Sequence, residues 1–174
     1  MISSDITETT RLNMQEKLAW AERSFKRLVE DATLNPDSVQ DHFWSMLHAV
    51  HLLWFYFGRW VKIDRAGASA QHLIKMWKRN RLTVSELQAW DCLGSLRDFD
   101  AHVQPVVPKK PEGSHLLCDR KTGRLLCSAK TGRLLCSKSK PFRVVQDGLE
   151  VDLLPLCENG LAAYRKLVQE FAQI

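Results

Sequence analysis

Arg97, Asp98 and His102 are the residues of this chain whose types and spacing could do chemistry. They stand in the stretch Leu96-Arg97-Asp98-Phe99-Asp100-Ala101-His102-Val103, just before Pro105. A histidine titrates near neutral pH and can serve as general acid or base. An arginine can hold the charge that develops on phosphoryl oxygens through forked hydrogen bonds. A carboxylate one helical turn from the histidine can orient its ring, and Asp98 and His102 are four apart. Together these are the types needed to cleave RNA without a metal. The 2′-hydroxyl must lose a proton as it attacks phosphorus, and the leaving 5′-oxygen must gain one. Arg97 and His102 are five apart, roughly 140° around a helix, so they suit a groove between two such helices better than one small target on a single helix. The competing reading is an ordinary helix end, with Asp98 paired to His102 and Arg97 bound to a carboxylate such as Asp91 or Glu86.

The elements that must position this stretch follow from periodicity and breakers. An amphipathic helix is expected from about Asn13, capped with Glu16, to Ala32, with Leu18, Phe25, Leu28, Val29 and Ala32 on its stripe. Asn35-Pro36 ends it and starts a second helix, to about Lys62, that is apolar nearly all round from Phe43 to Val61. Such a helix must be covered on several sides, so it is expected at the centre of the core, with some aromatic surface left for a second subunit. Its apolar run is too short for a bilayer. A third helix, about Ala68 to Asn80, ends in Lys75, Lys78, Arg79 and Arg81. These cations complement a helix C-terminus and could also form a phosphate-contacting edge. Thr83-Val84-Ser85-Glu86 is a capping box that starts a fourth helix, through Leu87, Trp90, Leu93 and Leu96, which delivers Arg97, Asp98 and His102 to the end of the bundle.

Pro105, Pro108 and Pro111 mark a linker, after which the period changes. Lys121 to Ser128 recurs word for word as Lys130 to Ser137, and Lys-Thr-Gly-Arg between Leu-Leu-Cys runs reads as a hairpin turn. Asp147-Gly148 is a second hairpin signal. A small antiparallel β-meander is therefore expected before a last helix that starts near Asp152, with Pro155 in its first turn. The fold class is mainly α: one domain over 1–174, a bundle of about five helices, with a basic meander inserted at 109–151.

Charge is uneven. The segment from Lys109 to Arg143 holds ten basic residues against two acidic ones, a net +8 in a chain of net +5, which leaves −3 for the rest. Arg120, Lys121, Arg124, Lys130 and Arg133 are the candidate nucleic-acid contacts, and RNA is the expected partner. The five cysteines include no Cys-x-x-Cys pair, which suits a reducing, cytoplasmic setting with free thiols. His115, Cys118, Cys127 and Cys136 lack the two close pairs of a structural zinc site. His48 and His51, three apart, are read as core or interface residues. No metal or cofactor is expected.

The run Arg97-Asp98-Phe99-Asp100-Ala101-His102, near the end of the fourth helix of an all-helical domain, resembles the Arg-polar-x3-His motif of the HEPN superfamily (higher eukaryotes and prokaryotes nucleotide-binding). Asp98 fits the polar position and His102 the histidine. The resemblance covers the helices from Asn13 to Gln104 and the last one. It implies a helical bundle that forms a homodimer with the two motifs in one cleft, and a metal-independent endoribonuclease. It also implies a toxin or phage-defence component, with a possible antitoxin partner protein. Arg97 and His102 would be catalytic and Asp98 auxiliary, with Arg97 of one chain facing His102 of the other. The basic meander has no counterpart in that pattern. The alternative is a non-catalytic HEPN-like module that binds RNA, nucleotide or a protein partner through the meander.

Overall fold

The computed structural model describes residues 2–64, 69–102, 108, 142–146 and 149–171. It is mainly helical, with α1 (Ile2–Leu34), a 3-10 turn (Pro36–Ser38), α2 (Val39–Asp64), α3 (Ser69–Arg81) and α4 (Val84–His102). Then come strands β1 (Arg143–Gln146) and β2 (Leu149–Asp152), and α5 (Leu153–Glu170). The expected bundle of five helices with a small antiparallel hairpin before the last is what the chain forms.

α1 and α2 pack along one another. On α1 the buried residues Met14, Ala21 and Leu28 recur every seven positions, and Leu18, Phe25 and Ala32 repeat the same step beside them. Steps of four and three keep one narrow seam toward a partner helix. That seam excludes Val29, which the sequence placed on the stripe and which is 42% exposed. The start of α1 is also corrected. It begins at Ile2, eleven residues before Asn13, and Glu16 pairs with Lys17 at 2.8 Å rather than capping. The cause is tertiary: the Trp60 indole N–H of α2 donates to Thr7 Oγ1 at 3.1 Å, Thr10 is buried, and Ile6 packs against the core. Those contacts extend a helix whose first residues carry no strong local signal.

α2 is the central helix. Phe43, Met46, Ala49, Leu53 and Phe57 are fully buried, and Val39, Leu47, Val50, Trp60 and Val61 nearly so. Phe55 stands out at 54% exposed. The polar atoms on its α1 side are matched: the Trp20 indole N–H donates to Ser45 Oγ at 3.0 Å, and Ser24 and Ser45 share a hydrogen bond of 2.9 Å. His42 and Asp31 lie 2.9 Å apart. No described helix is long and apolar enough to cross a membrane.

In the hairpin, Arg143 pairs with Asp152 and Gln146 with Leu149, so two residues separate the strands, as the Asp147-Gly148 signal predicts. Phe142 and Val144 point into the core, while Val145 is exposed, the alternation of a half-buried strand. The Leu153 N–H donates to the Phe142 carbonyl at 2.8 Å and carries the ladder into the first turn of α5. The rest of the expected meander, with the tandem repeat, lies outside the described residues.

Candidate functional site

α4 carries the candidate site, and its start is fixed as the sequence suggests. The Thr83 N–H donates to Glu86 Oε2 at 2.7 Å, and the Glu86 N–H donates to Thr83 Oγ1 at 3.3 Å. This reciprocal pair satisfies two of the donors a helix N-terminus leaves open. Glu86 has a second role that its capping spacing does not reveal. Lys166 of α5 donates to its carboxylate at 2.7 Å and to the Arg81 carbonyl at 3.2 Å. Burial works to raise the Glu86 carboxyl; the Lys166 ammonium and the Thr83 donors outweigh it and hold the group below its usual range.

Along α4, Ala89, Trp90, Cys92, Leu93 and Leu96 are buried. Trp90 stacks on Tyr164 of α5, ring centres 4.2 Å apart and planes 18° apart. Gly160 of α5 lets Leu93 approach so closely that a Cβ there would overlap the Leu93 Cδ1 atom. α4 is thus locked to α5 over its whole middle.

Arg97 comes one turn further on. It follows Trp90 by seven positions and shares its face. It is partly buried, at the margin of the apolar stripe. Arg97 has a polar partner of its own, while Glu86 holds Lys166 and Asp91 holds Lys78 at 2.6 Å. The helix backbone continues through position 102, so positions 97, 98 and 102 sit on the last turns of one helix. The side chains of Asp98 and His102 lie outside the described residues. So do Arg120, Lys121, Arg124, Lys130 and Arg133, together with His115, Cys118, Cys127 and Cys136. Among the described residues, no group of three or more His, Cys, Asp or Glu side chains is placed to hold a metal ion.

Two hollows flank α4. One, of about 860 Å³, lies between α4, the hairpin and α5. Its charged wall is closed on itself, because Arg143 bonds Glu150 at 3.0 Å and Asp152 at 3.2 Å. The other, of about 610 Å³, lies between α2, α3 and α4, lined by Trp54, Ile74, Lys75, Lys78, Arg79, Leu87, Trp90 and Asp91. The sequence flags the cations of α3 as a possible phosphate edge and the tryptophans as core. It does not show that α3 lays those cations beside Trp54. The signal available was positional: Lys75, Lys78 and Arg79 share a face of α3, and Leu87, Trp90 and Asp91 share one of α4.

No family model, curated protein or solved structure matches the chain.

Proposed function

We propose that this chain is a metal-independent endoribonuclease of HEPN type that acts as a homodimer. The observation that carries the proposal is the position of Arg97. It is partly buried on the last turns of α4, beyond the Trp90–Tyr164 and Leu93–Gly160 contacts that fix that helix, and positions 98 and 102 follow on the same helix. A second copy of the helix end, facing the first, would set Arg97 of one protomer opposite His102 of its partner.

The chemistry is transesterification. His102 as general base takes the proton of the RNA 2′-hydroxyl, and the 2′-oxygen bonds to phosphorus. The bond from phosphorus to the 5′-oxygen breaks, and that oxygen takes a proton from an imidazolium. The products are a 2′,3′-cyclic phosphate and a free 5′-hydroxyl. Arg97 holds the non-bridging oxygens as negative charge grows on them. Asp98, one turn before His102, accepts a hydrogen bond from the imidazole and sets its tautomer. Arg120, Lys121, Arg124, Lys130 and Arg133 grip the strand through its phosphates, which the +8 charge of segment 109–143 supports. A toxin or phage-defence role, held in check by an antitoxin partner, belongs to the same reading.

The test is cleavage of mixed single-stranded and structured RNA by the purified chain in EDTA, with His102→Ala alongside. Wild type is expected to leave cyclic phosphate ends, and a folded His102→Ala to leave the RNA whole. Cleavage by both proteins would remove His102 from the chemistry. Cleavage by neither, with salt-sensitive binding retained, would favour the non-catalytic module that holds RNA through its basic segment.

A further inference from the structure

We propose that the hollow between α2, α3 and α4 is a binding site for one unpaired nucleotide, with its base against Trp54 and its phosphate held by Lys75 and Arg79. The site adds to the ribonuclease reading a place where the strand is held, and in that respect rests on it; its binding is tested without cleavage.

The hollow has the size of a small-molecule site, about 610 Å³ within the usual ~300–1,000 Å³. Its floor is apolar, from Trp54, Ile74, Leu87 and Trp90, and its rim carries three cations and one carboxylate. An apolar planar floor beneath a cationic rim fits a ligand that is planar at one end and anionic at the other.

The side chains divide the work. Trp90 is committed to the fold: Tyr164 stacks on one face, and Lys78 stands over the ring at 5.5 Å from its centre. With Tyr164 at 4.2 Å on one side, the ammonium must take the other. Lys78 is further tied to Asp91 at 2.6 Å. Trp54 stands nearly perpendicular to Trp90, ring centres 5.5 Å apart and planes 86° apart, has the Phe57 ring tilted at 39° with centres 5.4 Å apart, and is only partly buried. Its uncovered part, which lines the hollow, is the aromatic surface offered to a base. Lys75 and Arg79 are exposed, one turn apart, and among the described residues neither has an ion-pair partner. Two uncommitted cations at that spacing can converge on one phosphate. In a duplex the base faces are already stacked on one another, so a recessed Trp54 selects an unpaired base.

The placement also suits a strand on its way to Arg97. Trp90 and Arg97 share a face of α4 and are separated by about 10 Å along its axis at 1.5 Å per residue. A few unstacked nucleotides cover that span. The same chemistry could come from a free mononucleotide, and the experiment separates the two sources.

The probe is a fluorescein-labelled 2′-O-methyl octauridylate, which lacks the 2′-hydroxyl nucleophile and so reports binding alone. Anisotropy is read for the full chain against that octamer and against its duplex, with unlabelled UMP and AMP as competitors. The single strand is expected to bind and the duplex to bind more weakly. Trp54→Ala should weaken binding about tenfold or more, the usual loss on removing a stacking platform. Trp54→Phe, which keeps a ring and the core packing, should stay within about threefold of wild type. Lys75→Gln/Arg79→Gln, both at the surface, should lower the slope of log affinity against log salt by about 0.7, for one phosphate neutralised on a single strand. Displacement by micromolar mononucleotide identifies a free nucleotide as the natural ligand; displacement only by the octamer identifies the strand. Binding indifferent to Trp54→Ala and to the double variant overturns the proposal, as does failure of octamer and mononucleotides alike to bind. Binding through Trp54 by a chain that cleaves no RNA overturns the ribonuclease reading and leaves the pocket. Cleavage with binding indifferent to Trp54 does the reverse.

Discussion

Gly160 sits where α5 packs on α4, and adding a single methyl group there should change sign with the residue opposite. In an ordinary helix interior Gly→Ala gains about 0.8–1.0 kcal/mol. Here the new Cβ would overlap Leu93 Cδ1 and stand 3.4 Å from Leu93 Cγ, with Ala89 Cβ at 4.0 Å. The overlapped atom is the tip of a side chain, so it could swing aside if it had room. Leu93 is 0% exposed, and overpacking in a filled core costs about 1–3 kcal/mol. The net for Gly160→Ala is a loss of about 1 kcal/mol, or about 2–4 °C in Tm for a chain of this size. Leu93→Ala alone should cost about 2–5 kcal/mol. Placed in that background, Gly160→Ala meets no obstacle and should stabilise by about 1 kcal/mol. The swing of about 2 kcal/mol between backgrounds is the coupling, read from urea unfolding of the four proteins in a double-mutant cycle. An equal effect of Gly160→Ala in both backgrounds would refute the claim that this contact locks α4, and with it Arg97, in place.

Other outcomes follow from the same packing. Thr7→Val removes the acceptor for the Trp60 indole N–H, which is 2% exposed as a residue, and should cost about 1–3 kcal/mol in chemical denaturation; no loss would mean that the first turns of α1 do not contribute to the fold. The Glu86 carboxyl is held below its ordinary value of 4.5, so its contribution is complete above the unfolded value and fades as pH falls through the lowered one. Glu86→Gln should therefore lower Tm near pH 7, and its difference from wild type should shrink on acidification; a difference independent of pH would sink that assignment. Burial pushes the Cys157 thiol up, with Cys92 adding to the effect, so Cys157 should resist alkylation at pH 8 in the native protein and react on unfolding, by peptide mass spectrometry. Labelling of Cys157 at the rate of an exposed thiol would contradict its burial.

The five helices were legible because their signals are local. The Thr83–Glu86 capping box, the Asn35-Pro36 break and the nearly all-round apolar run of α2 each act within a turn or two, and the structure uses all three elements. The hairpin at Asp147-Gly148 was legible for the same reason. The start of α1 was not, because residues 2–12 carry no marked period and are held by Trp60, more than fifty positions away. Val29 was misplaced because a 3.6-residue stripe is broader than the seven-residue seam that α2 accepts. The chemistry proposed for Arg97, Asp98 and His102 rests on type and spacing alone. That Arg97 would be partly buried at the edge of the α4 stripe follows from its register with Trp90. The hollow beside Trp54 was invisible because each part has a sufficient local reason: the tryptophans lie on apolar faces, and Lys75 and Arg79 sit in the second half of α3. Only the packing of three helices sets them side by side.

The central claim is that Arg97 of one protomer works with His102 of its partner. Its most direct test is to mix Arg97→Ala and His102→Ala proteins, each inactive alone, under conditions that exchange subunits, and to measure RNA cleavage in EDTA. Half of the dimers are then mixed, and each mixed dimer holds one complete Arg97–His102 pair of two, so roughly a quarter of wild-type activity should return. A mixture as inactive as its components, with subunit exchange confirmed, would contradict the account.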